Sequence, residues 1–274
     1  MKRIATFGVV ALVALAGGVD AQSGRDVAAL EPLPAASAVP FGPGEEAKYQ
    51  VKLGLFGDVG EGRLRVGKLD TVRGEETYHL QMHLKGGVLF AKVDTKYESW
   101  FDTDELISRR FHQDQHEVNY KRKRTFEFFP EEMRWEMSNG ESGELPTDMP
   151  LDDLSFLYFV RTLPLEVGKE YRFNRYFQDD GNPVRLKVLR TETVKVPAGT
   201  FETIVVQPII RSKGLFSEGG EAEVYFTNDS SRVLVMLKSK VKILKSLDLL
   251  LEEYTPGAPL EAARSTASAA LANH

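Results

Sequence analysis

Apolar side chains recur at every second position over much of this chain. That period lets a half-buried strand present one face to a core. Over residues 47–56, Tyr49, Val51, Leu53 and Leu55 share one face, and a turn is predicted at 57–62. Leu64, Val66 and Leu69 follow, then a turn at Arg73-Gly74. Tyr78, Leu80, Met82 and Leu84 next alternate with His79, Gln81 and His83. Strands are further predicted over 88–101 and 106–120, and 125–129 pairs with 133–137 around Pro130-Glu131-Glu132. In the second half, 171–178 leads into Asp179-Asp180-Gly181-Asn182-Pro183, the strongest turn signal in the chain. Two hairpins, 184–196 with 201–211 and 222–227 with 233–244, precede a closing strand at 247–254. No fixed-period repeat is present.

One stretch breaks the alternation. Residues 151–163 read Leu-Asp-Asp-Leu-Ser-Phe-Leu-Tyr-Phe-Val-Arg-Thr-Leu, which predicts a helix capped by Asp152 or Asp153 and stopped by Pro164. It is apolar on nearly all sides, so most of it should be buried. About a dozen strands around one such helix predict a mainly β fold, because sheets of that size seldom stay flat. The expected form is a large curved antiparallel sheet, or partly open β-barrel, wrapped around one central α-helix.

The ends of the chain read differently. Lys2 and Arg3, an apolar run at 4–16 and the small residues Val19 and Ala21 predict a signal peptide over 1–21. Residues 22–40, rich in Ala, Pro and Ser, predict a flexible linker; 41–256 a single β-rich domain; and 257–274 a disordered tail. With no cysteine, disulfides, thiol catalysis and a lipid-bearing cysteine are excluded. An export leader without cysteine fits a bacterial envelope protein, periplasmic first and extracellular second, with no transmembrane span after cleavage. The net charge of −5 argues against a nucleic-acid partner.

Around the helix, Asp152, Ser155, Tyr158 and Arg161 read Asp-x-x-Ser-x-x-Tyr-x-x-Arg, continued by Leu165-x-x-Gly168-x-x-Tyr171. Downstream, Val196-Pro197-Ala198-Gly199-Thr200-Phe201 leads into Val205 and Pro208. Together these residues resemble the bacterial exported family catalogued as domain of unknown function 3108, over about residues 41–254. The resemblance implies a periplasmic β-rich fold around a helix and brings no established activity with it.

Candidate chemistry is sparse. Ser155, Tyr158 and Arg161 lie along one side of the helix. They either anchor a ligand head group or tie helix to sheet, and the second is the usual fate of buried polar groups. Lys121, Arg122, Lys123 and Arg124 form the only basic run, expected at a hairpin tip or edge. There it would either meet anionic lipid phosphate or polysaccharide or simply be solvated. His112, Asp114 and His116 are competent metal ligands on one strand face, as His79 and His83 share another, but no metal motif accompanies them. Gly57, Gly60 and Gly62 read as a turn, since no helix follows to hold a phosphate. Aromatics including Phe90, Tyr97, Trp100, Phe101, Phe111, Phe126, Phe128 and Phe129 could line a wall for acyl chains or fill an ordinary core.

No nucleophile-elbow, zinc-protease or P-loop motif is present, and neither cofactor nor metal is called for. The leading expectation is a non-catalytic exported protein that binds a lipid, glycolipid or other amphipathic ligand within a curved sheet. A structural or assembly scaffold with an envelope protein partner is the alternative. An enzyme acting on polysaccharide comes third. The interior decides between the first two: a carrier needs a cavity of several hundred cubic ångströms, a scaffold a filled core.

Overall fold

The computed structural model describes residues 39–88, 91–117, 120–210, 221–240 and 247–265. The expected leader, the linker up to residue 38 and the tail from 266 onward lie outside them. Fourteen strands among the described residues make one antiparallel sheet. The first half is a meander: β1 (Glu46–Leu53), β2 (Gly57–Val72), β3 (Glu75–Val88), β4 (Ala91–Asp102), β5 (Ser108–Glu117), β6 (Tyr120–Phe129), β7 (Arg134–Met137) and β8 (Ser142–Glu144). A helix, α1 (Asp153–Arg161), leads to a second meander. Its strands are β9 (Glu170–Phe173), β10 (Val184–Val196), β11 (Gly199–Ile209), β12 (Glu221–Thr227), β13 (Leu234–Lys240) and β14 (Leu247–Thr255). The two halves join where β1 pairs with β14, so the first and last strands sit side by side in mid-sheet. The sheet is open, with the short strands β8 and β9 at its ends.

Alternation produced the inner face as expected. Tyr49, Val66, Tyr78, Leu80, Phe101, Phe111, Phe126 and Phe128 are all buried on it. The ends of the sheet approach one another across this core. Phe177, just past β9, packs on Phe126 and Phe128 of β6, with ring centroids 5.2 and 5.4 Å apart. Leu151 and Tyr176 add a parallel bridge beside that seam.

Several boundaries differ from expectation, each for a physical reason. The helix has nine residues rather than thirteen, and eight of them are buried. The hydroxyl of Thr162 donates to Phe159 O at 2.8 Å and helps end it. At about 13 Å long it is a plug packed on β3 and β4, too short to serve as the axis of a fourteen-strand sheet. The stretch 57–62 is the start of β2, not a turn. Glycine is needed there for close approach: a Cβ on Gly60 would fall 2.2 Å from Lys85 O of β3. The single strand expected over 106–120 ends at Glu117, and β6 begins at Tyr120. Finally, residues 260–265 of the expected tail form a helical turn. Arg264 holds it by donating to Glu76 Oε1 at 2.7 Å, and Leu260 packs against the core.

Candidate functional site

The helix start is a closed network. Asp152 accepts from the backbone N–H groups of Leu154 and Ser155 at 2.8 and 2.9 Å, and from Ser99 Oγ at 2.6 Å. Ser155 Oγ accepts the Asp152 N–H at 2.9 Å, completing a capping box, and lies 2.7 Å from Ser108 Oγ. Asp152, Ser99, Ser108 and Ser155 are all fully buried. Burial pushes the Asp152 carboxyl up to about 6, although the hydroxyl and backbone donors hold it down.

That shift fixes a sign. A folded-state value above the ordinary value of about 3.9 means that the native chain holds this proton more tightly than the unfolded one. The Asp152 contribution therefore favours folding most below pH 4 and is lost as pH rises through about 6, a swing of about 3 kcal/mol. Asp152→Asn keeps a capping oxygen and abolishes the titration. In urea melts the parent should lose more stability than the variant between pH 4 and 6; parallel curves would contradict the assignment.

Further along α1, Tyr158 is buried edge-on to Phe41 at 5.0 Å, and burial raises its phenol far above the ordinary range. Arg161 makes a two-point ion pair with Glu45, at 2.6 and 2.9 Å, and donates to Pro40 O and Ser231 O. Tyr254 O–H donates to the same carboxylate at 3.1 Å. Burial opposes the Arg161 charge, but Glu45 outweighs it and raises the guanidinium above its ordinary value. A cavity of about 20 Å³ beside this cluster, lined by residues including Tyr49, Leu157 and Tyr158, has room for a single water. The geometry therefore brings Ser155, Tyr158 and Arg161 onto partners within the protein, and the cavity beside them among the described residues is of water size.

The basic run starts directly after the Glu117–Tyr120 pair that ends the β5–β6 ladder. Lys121, Arg122, Lys123 and Arg124 lie inside β6, opposite His116, Gln115, Asp114 and Gln113 of β5. Polar and acidic partners make this tolerable: Lys123 pairs with Asp114 at 3.6 Å, and Arg124 donates to Gln113 Oε1 at 2.5 Å. Strand alternation sends Lys121 and Lys123 to one face and Arg122 and Arg124 to the other, so the four do not form one patch. The histidines are also engaged. His112 meets Thr125 Oγ1 at 2.8 Å, His116 meets Asp114 at 3.1 Å, His83 meets Asp94 at 2.8 Å, and His79 stacks on Trp100. Among the described residues no three potential ligands converge on a metal position.

Two buried arginines were not anticipated. Arg109 donates to Asp102, Glu105 and Glu131 at 3.0, 2.8 and 2.7 Å. Arg175 donates to Met149 O and Leu106 O and lies over the Phe159 ring; burial lowers it to about 9. Neither stood out in sequence, since isolated arginines in strand-like stretches are ordinarily exposed.

A family model matches residues 48–250. The chain belongs to the family described as protein of unknown function (DUF3108). No curated protein matches it significantly. Among solved structures, it is similar to a beta-barrel-like protein of domain of unknown function DUF1849 from Brucella abortus. The identity there is 7% and the TM-score 0.47, over 84% of this chain and 100% of that one. It is also similar to the hypothetical protein CT021 from Chlamydia trachomatis, at 9% identity and TM-score 0.38, over 82% and 93%. A third likeness is to a protein described as exported, with a YmcC-like fold, from Bacteroides fragilis, at 12% identity and TM-score 0.29, over 82% and 100%. These likenesses are distant. In this DUF3108 chain, Asp152, Ser155 and Arg161 all bond inward, as parts of the fold's own fastening.

Proposed function

We propose that this DUF3108 protein is a non-catalytic, exported scaffold of the bacterial cell envelope that works through its outer surface. The sheet is a partly open barrel whose curl is filled by α1 and its own aromatics. One observation carries the reading: the cavity beside the helix holds about 20 Å³, against roughly 300–1,000 Å³ for a small-molecule site. A lipid or glycolipid held inside the sheet has less support, because Phe111, Phe126, Phe128 and Phe177 pack ring against ring in the core. A periplasmic address fits the leader, and no helix among the described residues is long and apolar enough to cross a membrane.

The test is chemical. Protein purified from its own envelope should yield no stoichiometric lipid on organic extraction and mass spectrometry, while crosslinking in cells should trap a surface partner. One lipid recovered per chain would overturn the proposal.

A further inference from the structure

We infer that the outer face of β2, β3 and β4 binds a linear polysaccharide carrying a carboxylate on each sugar. This rests on the surface reading above and specifies its ligand. Strand register sets Lys48, Arg63, His83, Lys96, Asp114 and Lys123 opposite one another across six adjacent strands, β1 to β6. Strands lie about 4.8 Å apart, so the row crosses the sheet over about 24 Å with one side chain at each step. Like charges directly opposite on neighbouring strands weaken a sheet. Adjacent rows avoid this by mixing signs, as in Glu46, Arg65, Gln81 and Glu98.

The outer members of the row are neutralised within the protein. Lys48 meets Glu253 at 2.5 Å, and Lys123 meets Asp114 at 3.6 Å. The middle is not. Arg63 reaches Glu46 only at 3.8 Å and shares that carboxylate with Arg65 at 4.0 Å. Lys96, opposite His83, interacts with the Asp94 carboxylate only through space. Between them lies a depression of about 180 Å³, lined by residues including Arg63, Arg65, Gln81, His83, Lys96 and Glu98.

This chemistry selects the occupant. Two guanidiniums offer paired donors matched to carboxylate, and Gln81 offers an amide for a hydroxyl. A pyranose in an extended chain advances by a step comparable to the strand spacing of about 4.8 Å, so carboxylates two sugars apart can meet Arg63 and Lys96, which stand two strands apart. A bilayer is disfavoured, because the large exposed apolar side chains among the described residues, Phe56, Met133 and Val167, all lie off this row.

The test measures binding of the full chain to polygalacturonate, with neutral dextran and phosphatidylglycerol vesicles as comparisons. Binding should weaken with salt, be absent for dextran, and fall at least tenfold in Arg63→Ser/Lys96→Ser. The control Lys169→Ser/Arg172→Ser removes the same charge at the β9 edge and should bind as the parent does. Thermal melts verify that both variants fold. Equal losses in the two variants, or equal binding to the vesicles, would overturn the assignment. So would a failure to bind polygalacturonate in protein free of lipid, an outcome that leaves the scaffold reading intact.

Discussion

Glu45→Ala should cost the protein about 3–5 kcal/mol in urea unfolding, more than any surface substitution. Glu45 and Arg161 are 4% and 7% exposed, so deleting the carboxylate leaves a guanidinium charge almost wholly out of solvent. The remaining acceptors, Pro40 O and Ser231 O at 3.2 and 3.1 Å, are neutral and already in use. Losing Glu45 also disconnects three distant parts of the chain, because Arg161 of α1 and Tyr254 of β14 both donate to its carboxylate. The double variant Glu45→Met/Arg161→Met removes both charges and packs apolar volume into their place. It should recover most of the loss, since replacing a whole buried pair with well-packed apolar groups is often nearly neutral. A double variant as unstable as Glu45→Ala alone would show that shape at this junction matters more than charge.

Phe177→Ala is expected to cost about 3–5 kcal/mol, through lost burial and the cavity left behind. The ring is 3% exposed and touches Phe111, Phe126 and Phe128 at centroid distances of 6.4, 5.2 and 5.4 Å. It is the contact by which the segment after β9 closes on β6, so the damage should be local as well as global. Amide exchange should speed up first in β6 and β7 and around the Leu151–Tyr176 bridge, with β1 and β14 protected longest. Uniform acceleration across the sheet would mean that the seam and the centre unfold as one unit.

Much of this architecture was readable along the chain. Tyr78, Leu80 and Phe101 alternate strictly and are all buried, because each strand face there meets either core or water. The pattern failed at 113–124, where the inner face of β5 and β6 carries Gln113, Gln115, Arg122 and Arg124 instead of apolar side chains. With polar residues on both faces, a period of two leaves no trace, so the sequence does not show where β5 ends and β6 begins. Asp152 and Pro164 made the helix visible, but the side-chain bond from Thr162 that ends it early is a matter of local geometry. The polar residues of α1 were legible as interruptions of an apolar helix. Their partners were not: Glu45 lies 116 residues before Arg161. The row from Lys48 to Lys123 was harder still, since each strand contributes a single member and only the pairing register assembles them.

The pairing of β1 with β14 has a consequence for how the molecule comes into being. Lys48 and Glu253, partners across that junction, are 205 residues apart, so neighbours in space are nearly the first and last parts of the sheet to be synthesised. Each meander can gather locally, but the middle of the wall stays unzipped until the final strand arrives. Maturation is then an end-to-end event: a chain halted before Leu247 would hold two unfinished halves and no keystone.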